Sequence, residues 1–190
     1  MPRVSKDKMI QNRARIEKTT AKLIKEKGLK VSIADLMNAS GLTHGGFYKH
    51  YSSKDELLIK ICSLVFNASN EKWQKRVKDA PSQAAARQAI IEGYLSQENK
   101  NNVAEGCPIS CLAMDISRND TSEMIKNSFK QGIEQLLAIL TTLEDSDTAK
   151  DDAIYDISAM VGALLLARAT NGELSDRFLS TVKSKLITNK

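Results

Sequence analysis

Apolar residues recur along this chain at helical rather than alternating spacing. Ile16, Thr20, Leu23 and Ile24 mark one face of a helix between Arg13 and Lys27, and Gly28 follows as its stop. Ser32-Ile33-Ala34-Asp35 has the form of a capping box opening a short helix, with Ile33, Leu36 and Met37 turned inward. Ser40-Gly41-Leu42 ends that helix, and Thr43 stands as N-cap of a third, very short one through about His50. Ser53-Lys54-Asp55-Glu56 is a second capping box, for a longer helix carrying Leu57, Leu58, Ile61, Leu64, Val65 and Trp73.

Asp79-Ala80-Pro81-Ser82 breaks the pattern, which resumes through Ala89, Ile90 and Tyr94. The polar stretch Gln97 to Asn102 reads as a loop, and Pro108 sits near the first turn of the next helix. Thr121-Ser122-Glu123 opens a long helix through Ile125, Phe129, Ile133, Leu136, Leu137 and Leu140. After the acidic connection from Glu144 to Asp152 comes the most apolar helix, about residues 153–170. Gly172-Glu173 separates it from a last helix with Leu174, Phe178, Leu179, Val182 and Leu186. No strand-like alternation, repeat or low-complexity tract interrupts this, so the expected class is all-α, with about nine helices.

At 190 residues, 42% apolar and 27% charged, the composition is globular. Three cysteines, an odd number, suit a reducing compartment. No apolar segment follows the basic start Met1-Pro2-Arg3, and the run from Ala159 to Ala167 is too short to cross a bilayer, so the expected setting is cytoplasmic with no membrane partner. Charge is divided unevenly: residues 1–60 carry a balance of +7 and residues 61–190 one of −2. A basic head on a slightly acidic body is the footprint of nucleic-acid binding, or of a solvated lysine-rich helix.

Two short helices joined at Ser40-Gly41-Leu42 make a helix-turn-helix pattern, with Gly41 suited to positive φ. The extended string Ser32-Ile33-Ala34, Gly41-Leu42-Thr43-His44-Gly45-Gly46-Phe47-Tyr48-Lys49-His50-Tyr51 and Ser53-Lys54-Asp55-Glu56-Leu57-Leu58 resembles the head of the TetR/AcrR family of bacterial transcriptional regulators. The resemblance implies a three-helix DNA-binding head over residues 6–66, its helix-turn-helix at about 32–51. A helical effector-binding and dimerisation domain would occupy 67–190. It further implies that Thr43, His44, Gly45 and Gly46 open the reading helix. Tyr48, His50 and Lys54, with Lys49 in the same string, would meet the DNA backbone, and Ser32 would offer a phosphate its hydroxyl and a helix N-terminus. Phe47 and Tyr51 would pack the head. The paired glycines of the reading helix allow close backbone approach and leave few side chains to read bases.

For the body, the resemblance implies a homodimer on a palindromic operator, built on the last two helices. Ala159, Gly162, Ala163, Leu166, Ala167, Phe178 and Val182 are the candidate interface residues. The middle helices would enclose a pocket for an unknown small-molecule effector. Trp73, Tyr94, Met114, Met124, Phe129 and Tyr155 are candidate linings by residue type, a type equally at home in a core. Gly106-Cys107-Pro108 resembles an element of a subgroup of these regulators. Cys107 and Cys111, which join the candidate linings, lie four apart on one helical face, with Cys107 near a helix N-terminus that would lower its pKa; they are also small enough to be plain packing.

No set of residues supplies catalysis. The two histidines, His44 and His50, both fall in the head, no metal-ligand spacing occurs, and no cofactor is implied. The expected function is a sequence-specific transcriptional regulator, a repressor released by its effector. The alternatives are a non-sequence-specific nucleoid-type DNA binder and a helical protein-interaction adaptor.

Overall fold

The computed structural model describes residues 6–118 and 120–188. Residues 1–5, on which the expectation of no secretory leader rests, residue 119, and residues 189–190 lie outside the described residues. The described elements are all helical. They are α1 (Lys6–Lys27), α2 (Ile33–Ala39), a 3₁₀ helix (His44–Lys49), α3 (Lys54–Asp79), α4 (Gln83–Tyr94), α5 (Gln97–Asn101), a 3₁₀ turn (Val103–Glu105), α6 (Pro108–Ile116), α7 (Glu123–Thr141), α8 (Ala149–Ala169) and α9 (Gly172–Thr188).

The head forms where local signals agree. Gly28 ends α1 at φ +81°, a conformation that costs an L side chain dearly. Ser32 and Asp35 close a reciprocal capping box on α2, and Gly41 turns the chain at φ +64°. Ile16, Ile24, Leu36, Met37, Phe47, Tyr51, Leu57 and Leu58 then bury one another, so the aromatic pair Phe47 and Tyr51 is core. The Tyr51 hydroxyl donates to Glu17 on α1, and burial with that acceptor raises the phenol's pKa far beyond its ordinary value.

Four local expectations are corrected. The Ser53 box closes on one side only: Ser53 Oγ accepts from Glu56 N–H, while the Glu56 carboxylate accepts from the N–H and hydroxyl of Ser52. The third helix is 3₁₀ rather than α: Gly46 N–H donates to Thr43 O and His50 N–H to Phe47 O, three residues back. Two glycines in six residues leave too little helix propensity for α turns, and 3₁₀ is the form short pieces take. Thr43 holds the N-cap position but makes no side-chain capping bond. The stretch expected as a loop from Gln97 to Asn102 contains α5, because Ser96 accepts from Asn99 N–H and Asn102 from Glu105 N–H. Two successive caps wind a segment that has no apolar period.

In the body, α3 runs along α7, α7 packs on α8, and α8 pairs with α9. Arg87 on α4 is a buried staple: it donates to Asp156 on α8 at 2.6 and 3.0 Å, pairs with Glu144 at 2.9 Å, and reaches Leu186 O on α9 at 2.7 Å. Arg168 on α8 donates to Asn99 O and Lys100 O, fixing the C-terminal carbonyls of α5 against Ser110 on α6.

Head and body share one continuous apolar cluster, and one peptide between them is bonded on both its polar groups. Leu29, in the corner between α1 and α2, donates its N–H to Asp115 on α6 at 2.8 Å. Its carbonyl accepts from Lys54 Nζ on α3 at 2.6 Å. Asp115 lies against Gly28 so closely that a Cβ there would collide with the carboxylate. Asp115→Ala leaves a buried N–H without its acceptor and is expected to cost about 1–3 kcal/mol. Asp115→Asn, which keeps a carbonyl acceptor, is expected to cost clearly less. Thermal unfolding of both variants checks this, and equal melting temperatures for wild type and Asp115→Ala would remove the contact from the stability of the junction.

Candidate DNA-contacting surface and effector cavity

Thr43, His44, Gly45, Tyr48 and Lys49 are exposed on one end of the head, with Gly46 and His50 half-buried beside them. Tyr48 stands outward at 61% exposure, held edge-on to buried Phe47 at 5.3 Å and near His44 at 6.5 Å between ring centroids. Gly45 is glycine for no reason internal to the chain: its φ is not positive, and a Cβ there would meet nothing within 4 Å. The basic side chains Lys6, Lys8, Arg13, Arg15 and Lys18 follow along α1; Arg13 stacks 4.7 Å from the Tyr51 ring centroid. His50 titrates below its ordinary 6.5, first because it is partly desolvated and then because Arg13 and Lys49 repel its charged form.

Two residues expected at phosphate are otherwise engaged. The Ser32 hydroxyl donates to Asp35 Oδ2 at 2.6 Å, and these bonds hold the Asp35 carboxyl below its ordinary pKa. The α2 N-terminus therefore already carries a carboxylate, which repels a phosphate. Lys54 points into the head–body junction, toward a cavity of about 160 Å³ that it shares with Asp115 and Thr121. Its ammonium is half-buried on Leu29 O, and that burial lowers its pKa.

In the body, a cavity of about 220 Å³ opens between α3, the end of α4 and the 102–107 segment. Ser69, Lys72, Trp73 and Arg76 share one face of α3 at helical spacing, opposite Gly93, Tyr94, Asn99 and Asn102. The Trp73 and Tyr94 rings meet edge-to-face at 6.3 Å. The Tyr94 hydroxyl is buried against the Cys107 thiol, with no oxygen or nitrogen partner among the described residues. Glu105 pairs outward with Lys22 on α1 at 3.0 Å, and Lys72 donates to Glu105 O at 3.4 Å.

Of the eight residues expected to line an effector pocket, Trp73, Tyr94 and Cys107 face this cavity. Cys111 lies just behind it, half-buried, with Arg168 Nη1 at 3.6 Å. Phe129 is core, edge-on to Phe66 at 5.4 Å. Met114, Met124 and Tyr155 are more than 60% exposed and line neither cavity, because residue type alone does not say which face of an amphipathic helix a side chain occupies. The lowered pKa expected for Cys107 is also corrected. The Tyr94 hydroxyl and the backbone N–H groups of Ser110 and Ile109 do reach the thiol, but burial outweighs them and pushes it up. Cys62, deep in α3, is pushed up to about 11. The cations Lys72 and Arg76 were missed by a reading that sought aromatic and sulfur side chains; their i, i+4 spacing on the Trp73 face was the available signal.

The α8–α9 pair divides the expected interface residues. Ala163 and Ala167 are buried inside the protomer, where small size lets α8 approach its own neighbours. Leu166 is exposed, while Ala159, Gly162, Phe178 and Val182 are half-buried; with exposed Tyr155 and Leu174 they form an apolar outer face. Among the described residues, no cluster of three or more His, Cys, Asp or Glu side chains can hold a metal ion, and no helix is long and apolar enough to cross a membrane.

Residues 16–61, from mid-α1 into α3, match the family described as bacterial regulatory proteins, tetR family. The HTH-type transcriptional regulator YerO of Bacillus subtilis (strain 168) is 24% identical over 153 residues, 71% of this chain and 53% of its own length. The chain thus spans about half the length of that curated relative. A TetR-family regulator from Agrobacterium tumefaciens has the same fold, with a TM-score of 0.83 at 19% identity over 95% of this chain and 98% of that one. E. coli NemR in its reduced form follows at 0.82 and 17% identity, over 94% and 96%. The head thus matches the tetR family of bacterial regulatory proteins in sequence, and the chain as a whole shares the fold of solved TetR-family regulators.

Proposed function

We propose that the protein is a homodimeric, sequence-specific repressor whose hold on a palindromic operator is released by a small molecule bound in the α3–α4–α5 cavity. The observation that carries this reading is the exposed Thr43–Tyr48 edge of a family-matched head, with a glycine at position 45 that internal packing does not require. A missing Cβ lets a phosphate or base edge come close to the backbone. Thr43, His44 and Gly46 would frame that approach, and Tyr48, Lys49 and His50 would flank it on the DNA backbone. Ser32 and Lys54, engaged as described, would act by shaping the head, with phosphate contact left to the unused donors of the Lys54 ammonium.

A second copy is the proposed occupant of the apolar face of α8 and α9, because two reading edges are needed to span adjacent half-sites of a palindrome. Effector coupling would run through contacts already made. The 102–107 segment lines the cavity, grips α1 through Glu105 and Lys22, and leads into α6, whose Asp115 holds the Leu29 corner. An effector favouring a displaced 102–107 segment would shift the heads to a spacing that misfits the half-sites, in proportion to its differential affinity for the two states. The nucleoid-type and adaptor alternatives predict, respectively, no preference for a palindrome and no DNA binding at physiological salt.

Selection of genomic fragments by the purified dimer is expected to return a palindromic site. Gly45→Ala is the sharper check: it should leave the fold unchanged or stabilise it by up to about 1 kcal/mol, while weakening operator binding. A variant that binds the operator like wild type would show that nothing approaches position 45.

For the assembly, Leu166→Lys places a charge on the outer face without disturbing the protomer core. It should yield soluble monomer by light scattering, and a dimer that persists would move the interface off α8.

His50 sets a pH dependence. Its imidazole is neutral at pH 7, and a facing phosphate favours the protonated form, so operator binding takes up a proton. Affinity should rise as pH falls from 6.5 toward the depressed value. The folded protein loses stability over the same window, because the unfolded chain binds the proton more tightly. His50→Gln should flatten both trends, and an unchanged pH profile of binding would place His50 away from phosphate.

A further inference from the structure

Resting on the reading of the α3–α4–α5 cavity as the effector site, we propose that its ligand is a small planar carboxylate. One aromatic or conjugated ring would lie against Trp73 and Tyr94, with its carboxylate on Arg76.

The charge argument begins with Arg76. Its guanidinium faces the cavity, half-buried, with no carboxylate within 4.0 Å and no hydrogen bond among the described residues. A guanidinium stays charged at any physiological pH and is held away from bulk water at a loss unless an acceptor is present. The acids nearby do not answer it. Glu105 is engaged with Lys22, and Glu98 is an exposed residue at the rim. Lys72 adds a second positive charge at the mouth. Arg76 is also pre-positioned: it lies so close over Gly93 that a Cβ there would strike the guanidinium, so the backbone serves as a floor for the planar fork. A planar fork is matched by a planar two-oxygen acceptor.

Tyr94 supplies the second polar group. Its side chain is 5% exposed, its hydroxyl has the Cys107 thiol beside it and, among the described residues, no oxygen or nitrogen partner, and burial keeps the phenol neutral by pushing its pKa well above the ordinary value. A neutral hydroxyl donates to an anion without repelling it. The edge-to-face Trp73–Tyr94 pair, with Leu136, forms the apolar part of the wall. Size completes the assignment. At about 220 Å³ the cavity falls below the range of about 300–1,000 Å³ usual for drug-sized ligands, a size that suits a single ring.

Trp73 is the one tryptophan in the chain, so its emission reports this cavity alone. The experiment titrates the full-length protein with benzoate and cinnamate, and with their neutral counterparts benzamide and cinnamyl alcohol, reading Trp73 emission and release of the selected operator. The carboxylates should change the emission saturably and release DNA, with the neutral compounds weaker by about tenfold or more, the size of a charge-assisted hydrogen bond. Arg76→Gln should weaken the carboxylates by about the same factor and leave the neutral compounds unchanged. Arg76→Lys, which keeps the charge and loses the fork, should fall between, and Tyr94→Phe should cost several-fold. Unliganded operator affinity should be that of wild type in all three variants.

Neutral compounds that bind and release DNA as well as the acids, with Arg76→Gln without effect, would overturn the carboxylate assignment and leave the cavity as the effector site. Carboxylates that release DNA without moving Trp73 emission would overturn both readings, because they would act from elsewhere. Silence from all four compounds overturns the single-ring carboxylate class. A small-molecule extract that then releases the operator and changes Trp73 emission would still uphold the cavity.

Discussion

The corner between α1 and α2 is fixed to the rest of the molecule by the Leu29 peptide. Its N–H is held by Asp115 from the body and its carbonyl by Lys54 at the start of α3, so the α1–α2 corner is gripped on both polar groups. Each bond is part-buried and charge-assisted, the class that is strongest per contact and most damaging to leave unmade. The corner fits only because residue 28 is glycine on two counts: φ +81° and no space for a Cβ beside Asp115. The capping box of α2 begins three residues later, so the direction of α2, and of the reading edge that follows it, is set from this one fixed point. A movement of α6 cannot leave the head where it was.

That arrangement explains why the head was more legible in the sequence than the body. Gly28, the Ser32–Asp35 box and Gly41 are local signals, each satisfied within a few residues, and each does what its spacing predicts, while Ser53 caps α3 without the return bond from Glu56. The fold class followed from the helical period of the apolar positions for the same reason. Lys54 and Ser32 show where local reading stops. A lysine at the start of a helix after a helix-turn-helix reads as a phosphate contact until the fold brings Leu29, a residue 25 positions earlier, under its ammonium. The partner in such a bond is a backbone carbonyl, which no sequence pattern marks.

The body fails differently. Met114, Met124 and Tyr155 were the right chemistry on the wrong face, and Ala163 and Ala167 were small residues serving the protomer's own packing. When a helix is apolar around most of its circumference, as α8 is, periodicity no longer tells which side is inside. Only the neighbours α7 and α9 decide that. The cavity-lining cations were hidden by the same limit. A Lys72 or Arg76 on a long helix reads as surface unless its neighbour Trp73 is known to face a gap rather than a core.

The two ends of the molecule use positive charge in opposite ways. On the head it is spread over exposed lysines and arginines along α1 and the reading edge, where water screens it and a polyanion gains by displacing many counterions at once. In the cavity the charge of Arg76 is partly desolvated, laid on a glycine, and has no carboxylate within 4.0 Å among the described residues. Screening is weak there, so a single anion interacts strongly with a single fork. The segment between them, residues 102–107, touches both regimes: Lys72 holds the carbonyl of Glu105, and the carboxylate of Glu105 holds Lys22 on α1. An anion drawn to Arg76 also competes for Lys72 against that carbonyl, and any displacement of Glu105 is felt first by the helix that carries the basic face. Charge recognition at the cavity and charge presentation at the head are therefore joined through one glutamate.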